Sequence, residues 1–112
     1  MKVNLQTLNE VKTEIQRVKN EDGYAFRGPV RLSTSREDKT DAGHRFVAVI
    51  SAIVSVTEED DHPYEYIMTY KSAEWVHCDL QPDEPNPEKD FSEGFMPWLD
   101  EQVEVAPGVI DV

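Results

Sequence analysis

The chain has a single cysteine, Cys78, among 112 residues. No intrachain disulfide can form, which excludes the disulfide-stapled secreted scaffolds and fits a reducing compartment. The five glycines stand singly, so no glycine-rich phosphate loop is present, and no G-x-S-x-G occurs. No apolar run approaches the roughly 20 residues that cross a bilayer. The opening residues Met1-Lys2-Val3-Asn4 carry no apolar block of signal-peptide length. The expectation is a cytoplasmic protein with no membrane partner. Histidines are few: His44, His62 and His77. None pairs with another His or Cys at ligand spacing, and His77 and Cys78 would diverge on a strand. Cys78 is expected as a small buried residue and His44 as a loop residue. Asp38-Lys39-Thr40-Asp41-Ala42-Gly43 lacks the alternate oxygens and closing glutamate of a calcium loop. No metal, cofactor or catalytic residue is expected, and the chain reads as a non-enzyme.

Cations are the other scarcity. There are 11 Lys/Arg against 23 Asp/Glu, a net charge of −12. The imbalance is lopsided. Residues 1–57 hold nine Lys/Arg and seven Asp/Glu; residues 58–112 hold two and sixteen. The break falls where an apolar run ends and Glu58-Glu59-Asp60-Asp61 begins. Such a half repels nucleic acid and anionic membrane and attracts basic partners. Arg27, Arg31, Arg36, Lys39 and Arg45 cluster beside Tyr24 and Phe26. At this net charge, the cluster is better read as facing the acidic half of its own chain or of a neighbour than as binding nucleic acid directly.

The apolar residues are concentrated in blocks with clear periods. Leu5, Leu8, Val11, Ile15 and Val18 form one helical stripe over residues 5–19, with Asn4 or Thr7 as cap and Asn20-Glu21-Asp22-Gly23 as stop. Tyr24, Phe26, Val30 and Leu32 suggest a strand interrupted at Gly28-Pro29. Ser35–His44 reads as a polar loop. Arg45–Thr57 is the clearest element, a β-branched strand with Phe46, Ala48, Ile50, Ala52, Val54 and Val56 on one face. Its other face, Val47, Val49, Ser51, Ile53, Ser55 and Thr57, is mixed. Tyr64–His77 follows as its antiparallel hairpin partner, with a bulge expected near Ser72–Glu74. Pro82, Pro85 and Pro87 make residues 79–90 an extended acidic loop. Phe91, Phe95, Trp98, Leu99 and Val103 have helical spacing over residues 91–105, with Pro97 in the first turn. Val109–Val112 is an apolar tail. The expected fold is a single α+β domain: an antiparallel β-meander of three to four strands over residues 24–77, with an N-terminal helix and a short C-terminal helix.

The positive functional signal is aromatic and apolar surface on a small sheet. The expected binding residues are Phe46, Ile50, Val54, Tyr64, Tyr66, Tyr70, Trp75 and Trp98, because a sheet this small has few helices to cover it. Glu58, Glu59, Asp60, Asp61, Asp83 and Glu84 form the expected acidic surface framing it.

The order Pro29-Val30-Arg31-Leu32, polar loop, Phe46–Val56, acidic turn, Tyr64–Val76, then Phe95-Met96-Pro97-Trp98-Leu99 resembles the SecB-like fold, the family of the bacterial export chaperone SecB. The resemblance covers residues 26–112 in pattern and order. The helical N-terminus and short last helix depart from it. It implies a four-stranded antiparallel sheet, oligomers built through strand edges and binding of non-native chains along apolar grooves, with no catalytic residues.

Two classes of function follow. The first is a chaperone-like module that binds a protein partner or unfolded polypeptide, preferably basic, as a homo-oligomer. The second is an acidic phage-type inhibitor or DNA mimic that binds a basic host protein, its carboxylates standing in for phosphates. A phage virion or tail-assembly subunit is a further alternative.

Overall fold

A computed structural model describes residues 1–57 and 62–108, with Lys39 and Thr40 described by backbone alone. Glu58–Asp61 and Val109–Val112 therefore lie outside the described residues, and the expectations placed on them go with them.

The backbone is built on one long hairpin. Strands β4 (Gly43–Val56) and β5 (Tyr64–His77) pair antiparallel without a break from Gly43↔His77 to Val56↔Tyr64. No bulge interrupts Ser72–Glu74. The irregularity lies instead between Asp38 and Thr40. Alternating β-branched residues specify β4, because a one-residue slip would turn Ile50 and Val54 out to water. Strand β5 occupies all of one side of β4. The other side is shared by β2 (Tyr24–Phe26), opposite Val54–Val56, and β3 (Val30–Thr40), opposite Gly43–Ser51. The two are one strand broken at Arg27-Gly28-Pro29, as the sequence suggests. Gly28 sits at φ +101°, where a side chain would be strained.

The sheet is larger than a three- to four-stranded meander. Among the described residues it has six strands, in the order β1-β5-β4-β3-β6 with β2 beside β4. The two additions are short and parallel. Strand β1 (Lys2–Leu5) lies along β5, and β6 (Val105–Pro107) lies along β3. Leu5 thus belongs to a strand, and helix α1 starts only at Leu8, running to Asn20. Thr7 caps it: its Oγ1 accepts from the Glu10 N–H at 3.1 Å, while the Glu10 carboxylate accepts from the Gln6 N–H at 2.9 Å.

Residues 35–44 are not a loop. Strand β3 runs to Thr40 and β4 resumes at Gly43, leaving a two-residue turn at Asp41-Ala42. Gly43 is required there by close approach. A Cβ on it would lie 2.1 Å from the Val76 carbonyl oxygen. The extended hairpin makes the molecule 57 × 25 × 21 Å, with a radius of gyration of 16.0 Å. A compact chain of this length would measure about 13 Å.

The acidic proline segment also ends earlier than expected. Helix α2 (Pro87–Lys89) opens with Asn86 as cap, and Pro87 fits because its missing N–H is unpaired in any first turn. It continues as a π-helical turn (Asp90–Phe95) into α3 (Met96–Gln102). The Met96 N–H reaches back five residues to the Phe91 carbonyl. This wider winding eases Pro97 into the helix, where an α-helical ladder would meet its ring and missing donor.

Both helical segments lie on the same face of the sheet. Val11, Ile15 and Val18 of α1, with Phe91, Phe95 and Leu99, pack on the even-numbered residues of β4 in one buried cluster. The T-shaped contact of Phe46 with Phe91 and the stacking of Phe91 on Phe95 join the C-terminal helix to β4.

Candidate functional site: the uncovered sheet face

Because both helices lie on one face, the other face of the sheet is bare among the described residues. Register fixes its membership. Directly opposite residues share a face, so Val47, Val49, Ser51, Ile53 and Ser55 of β4 lie with Glu65, Ile67, Thr69, Lys71, Ala73 and Trp75 of β5. Arg31, Ser33, Ser35 and Glu37 join from β3, and Ala25 from β2. Asn4 of β1 is also on this side, its Oδ1 accepting from the Thr69 hydroxyl at 2.7 Å.

The centre of the face is apolar and exposed. Ile53 and Ile67 form a cross-strand pair and remain 41% and 40% exposed. Val47 and Val49 are half-buried by their neighbours. Beside the isoleucines, the break between β2 and β3 opens a notch of about 300 Å³ lined by Pro29, Arg31, Ser51, Ile53 and Ile67. At its edge Arg27 donates twice to the Glu65 carboxylate, at 2.8 and 2.7 Å. At the far end of the face the Trp75 indole N–H donates to Nδ1 of His77 at 2.9 Å, with the two rings edge to face.

The residues singled out from the sequence are mostly elsewhere. Phe46, Ile50, Val54, Tyr66 and Tyr70 are buried in the core beneath the helices and offer no surface. Their face is the more apolar of the two, and that is why the helices cover it. Trp98 is half-buried on the helical side, over Phe95, with Lys12 Nζ 5.3 Å from its ring centroid. Tyr64 is 46% exposed at the start of β5. Trp75 alone lies on the bare face. Asp83 and Glu84 are exposed in the segment before α2.

Tyr66 does something other than bind. Its hydroxyl donates to the Glu14 carboxylate of α1 and accepts from Arg17 Nη2 at 2.8 Å. Arg17 also grips Glu14 at 2.6 and 3.2 Å and stacks over the Tyr24 ring at 4.6 Å. Burial first, and then the carboxylate beside it, push the Tyr66 hydroxyl well above the usual tyrosine range. For Glu14, burial opposes ionisation, but the bonds from Arg17 and Tyr66 outweigh it and hold the carboxyl below its ordinary value. The cluster clamps α1 to the sheet.

A second recess of about 550 Å³ lies at the hairpin end, lined by His44, His77, Cys78, Glu88 and Lys89 among others. His44 is buried in β4, not in a loop, with Nε2 3.2 Å from Glu88 Oε2. Cys78 is exposed, against expectation, and its thiol donates to the Asp41 carbonyl at 3.1 Å. No group of three metal-ligating side chains converges among the described residues. No helix there is long and apolar enough to cross a membrane.

Comparison with known proteins finds no matching family model, no matching curated protein and no matching solved structure.

Proposed function

We propose that this chain is a non-enzymatic protein-binding module that takes an extended or non-native polypeptide on the bare face of its sheet. The observation that carries the reading is the Ile53/Ile67 pair, two large aliphatic side chains left side by side in water beside a shaped notch. Leaving an isoleucine about two-fifths exposed forgoes roughly 1 kcal/mol of burial, so a covering partner gains about 2 kcal/mol from this pair alone. A second copy of the chain or a client polypeptide would gain in the same way, and the chaperone-like and homo-oligomeric expectations are both kept within this proposal.

The test is suppression of aggregation of a reduced, unfolding client protein, with light scattering for the mass of the free chain. Wild type is expected to hold the client in solution. Ile53→Asp with Ile67→Asp is expected to lose that ability while retaining its circular dichroism. Equal activity of the two proteins would end the proposal.

The acidic-inhibitor reading retains one specific support. Asp79, Asp83, Glu84, Asp90, Glu93, Asp100, Glu101 and Glu104 are all exposed on the stretch leading into and through the C-terminal helix, where Lys89 is the one cation. It predicts salt-sensitive capture of a DNA-binding protein, lost when Asp83, Glu84, Asp90 and Glu93 are made amides.

A further inference from the structure

We infer that the segment taken by the bare sheet face is acidic as well as apolar. This rests on the polypeptide-binding reading above and names the chemistry of its partner.

The chain as a whole carries −12, yet its bare face is cationic. Arg31, Arg45 and Lys71 lie on it by register, and so does Lys2, paired with Ile67 two residues before Asn4. Arg27 joins them, its N–H bonded to the Ile53 carbonyl and its guanidinium on Glu65. Five of the chain's eleven Lys/Arg thus share one face. Among the described residues only Glu37 and Glu65 are placed there with them. Glu65 is taken up by Arg27, whereas Arg31, Arg45 and Lys71 make no ion pair among the described residues. Arg31, Arg45 and Lys71 are exposed.

These cations flank the apolar strip. Arg31 stands opposite Ser51 at the notch, Lys71 opposite Val49, and Arg45 opposite Trp75. Steps of two and four residues along β4 offset them by about 7 and 13 Å in the strand direction, and their places on three neighbouring strands add lateral offsets of about 5–10 Å. An extended polypeptide repeats its same-side groups at about 7 Å, and the long Arg, Lys and Glu side chains reach across the lateral offsets. A segment with carboxylates two or four residues apart, among aliphatic or aromatic residues, would meet both the cations and the Ile53/Ile67 pair. A basic segment would meet like charge.

A polypeptide fits better than a nucleic acid. Among the described residues Trp75 and His77 are the aromatic rings placed on this face, and they are engaged with each other at one end of it, whereas sequence-tolerant strand binding uses several rings stacked along a groove. A polyphosphate also meets the −12 of the whole molecule at every nucleotide, and a peptide with a few carboxylates does not.

The experiment is fluorescence anisotropy with three labelled peptides of about twelve residues, enough to span the strip. Leucine and phenylalanine are interspersed with glutamate in the first, with glutamine in the second and with lysine in the third. An oligothymidylate and phosphatidylserine vesicles serve as further probes. Wild type is expected to bind the glutamate peptide roughly tenfold more tightly than the glutamine one, as two or three ion pairs imply. The lysine peptide is expected to bind weakest, and the preference to shrink as salt rises. Arg31→Glu with Arg45→Glu and Lys71→Glu is expected to reverse the order, and the single variant Arg31→Gln to narrow it. Equal binding of all three peptides would overturn the charge inference and leave the polypeptide reading standing. Binding of no peptide would overturn both. So would binding of the oligothymidylate or the vesicles in preference to every peptide.

Discussion

Replacing Tyr66 by phenylalanine removes one hydroxyl from the clamp between α1 and β5, and its cost follows from the contacts. The ring is 3% exposed and its packing survives the change. The hydroxyl's bond to the ionised Glu14 is lost, and hydrogen bonds to charged groups are worth about 1.5–3 kcal/mol. Arg17 keeps Glu14 partnered through its contacts at 2.6 and 3.2 Å, so the carboxylate is not orphaned. The exposed ion pair of Arg17 with Glu21 adds little either way. Tyr66→Phe is therefore expected to destabilise by about 1–2 kcal/mol at neutral pH, measured by urea unfolding followed by circular dichroism. Acid supplies the second arm. The pKa of Glu14 is lowered in the fold, so its contribution is present above the unfolded value of about 4.3 and is lost as pH falls through the native one. The gap between wild type and Tyr66→Phe should thus narrow in acid. A gap under about 0.3 kcal/mol at neutral pH, or one that does not narrow in acid, would refute the clamp.

Other outcomes follow from the same packing. Gly43→Ala forces a Cβ onto the Val76 carbonyl and is expected to cost at least about 3 kcal/mol or to prevent folding, whereas Gly94→Ala, with open space around it, should be neutral or stabilise by up to about 1 kcal/mol; thermal melts compare them. Leu99→Ala empties a fully buried site where α3 meets the sheet and should cost about 2–5 kcal/mol in urea unfolding. Ile53→Ser on the bare face gives up the buried three-fifths of the side chain and should cost about 1–2 kcal/mol while weakening peptide binding; a loss as large as that of Leu99→Ala would mean the face is not free.

The hairpin was legible because alternation and β-branching agree over fourteen residues of β4. So was the apolar stripe of α1, together with its Thr7 cap. Strand β3 was not. Ser33 to Asp38 has no apolar alternation, and beyond half-buried Ser33 its residues are exposed. Its strand character comes from pairing with β4, a long-range term that local pattern does not carry. Strands β1 and β6 are too short to signal themselves, and Leu5 fits a helical stripe as well as an edge strand.

Most of the expected binding residues fell on the covered face for a related reason. Ranking the two faces of β4 by apolarity selects Phe46, Ile50 and Val54. In a two-layer fold the more apolar face is the one the helices cover. The face left uncovered is then the mixed one, Val47 to Ser55, and that is visible only once the helices are known to share one side. The charge pattern misled in the same way. The sequence gathers cations in its first half, but only pairing brings Lys71 from the acidic half to join Arg31 and Arg45.

The isoleucines test the central claim most directly, since two of those among the described residues lie on each side of the sheet. Ile15 and Ile50 are fully buried under the helices, and Ile53 and Ile67 face outward. Methyl resonances of isoleucine-labelled protein can be followed while the glutamate peptide is added. The account predicts that the Ile53 and Ile67 methyls shift with saturation and that those of Ile15 and Ile50 stay in place. Shifts at Ile15 and Ile50 with Ile53 and Ile67 unmoved would contradict it.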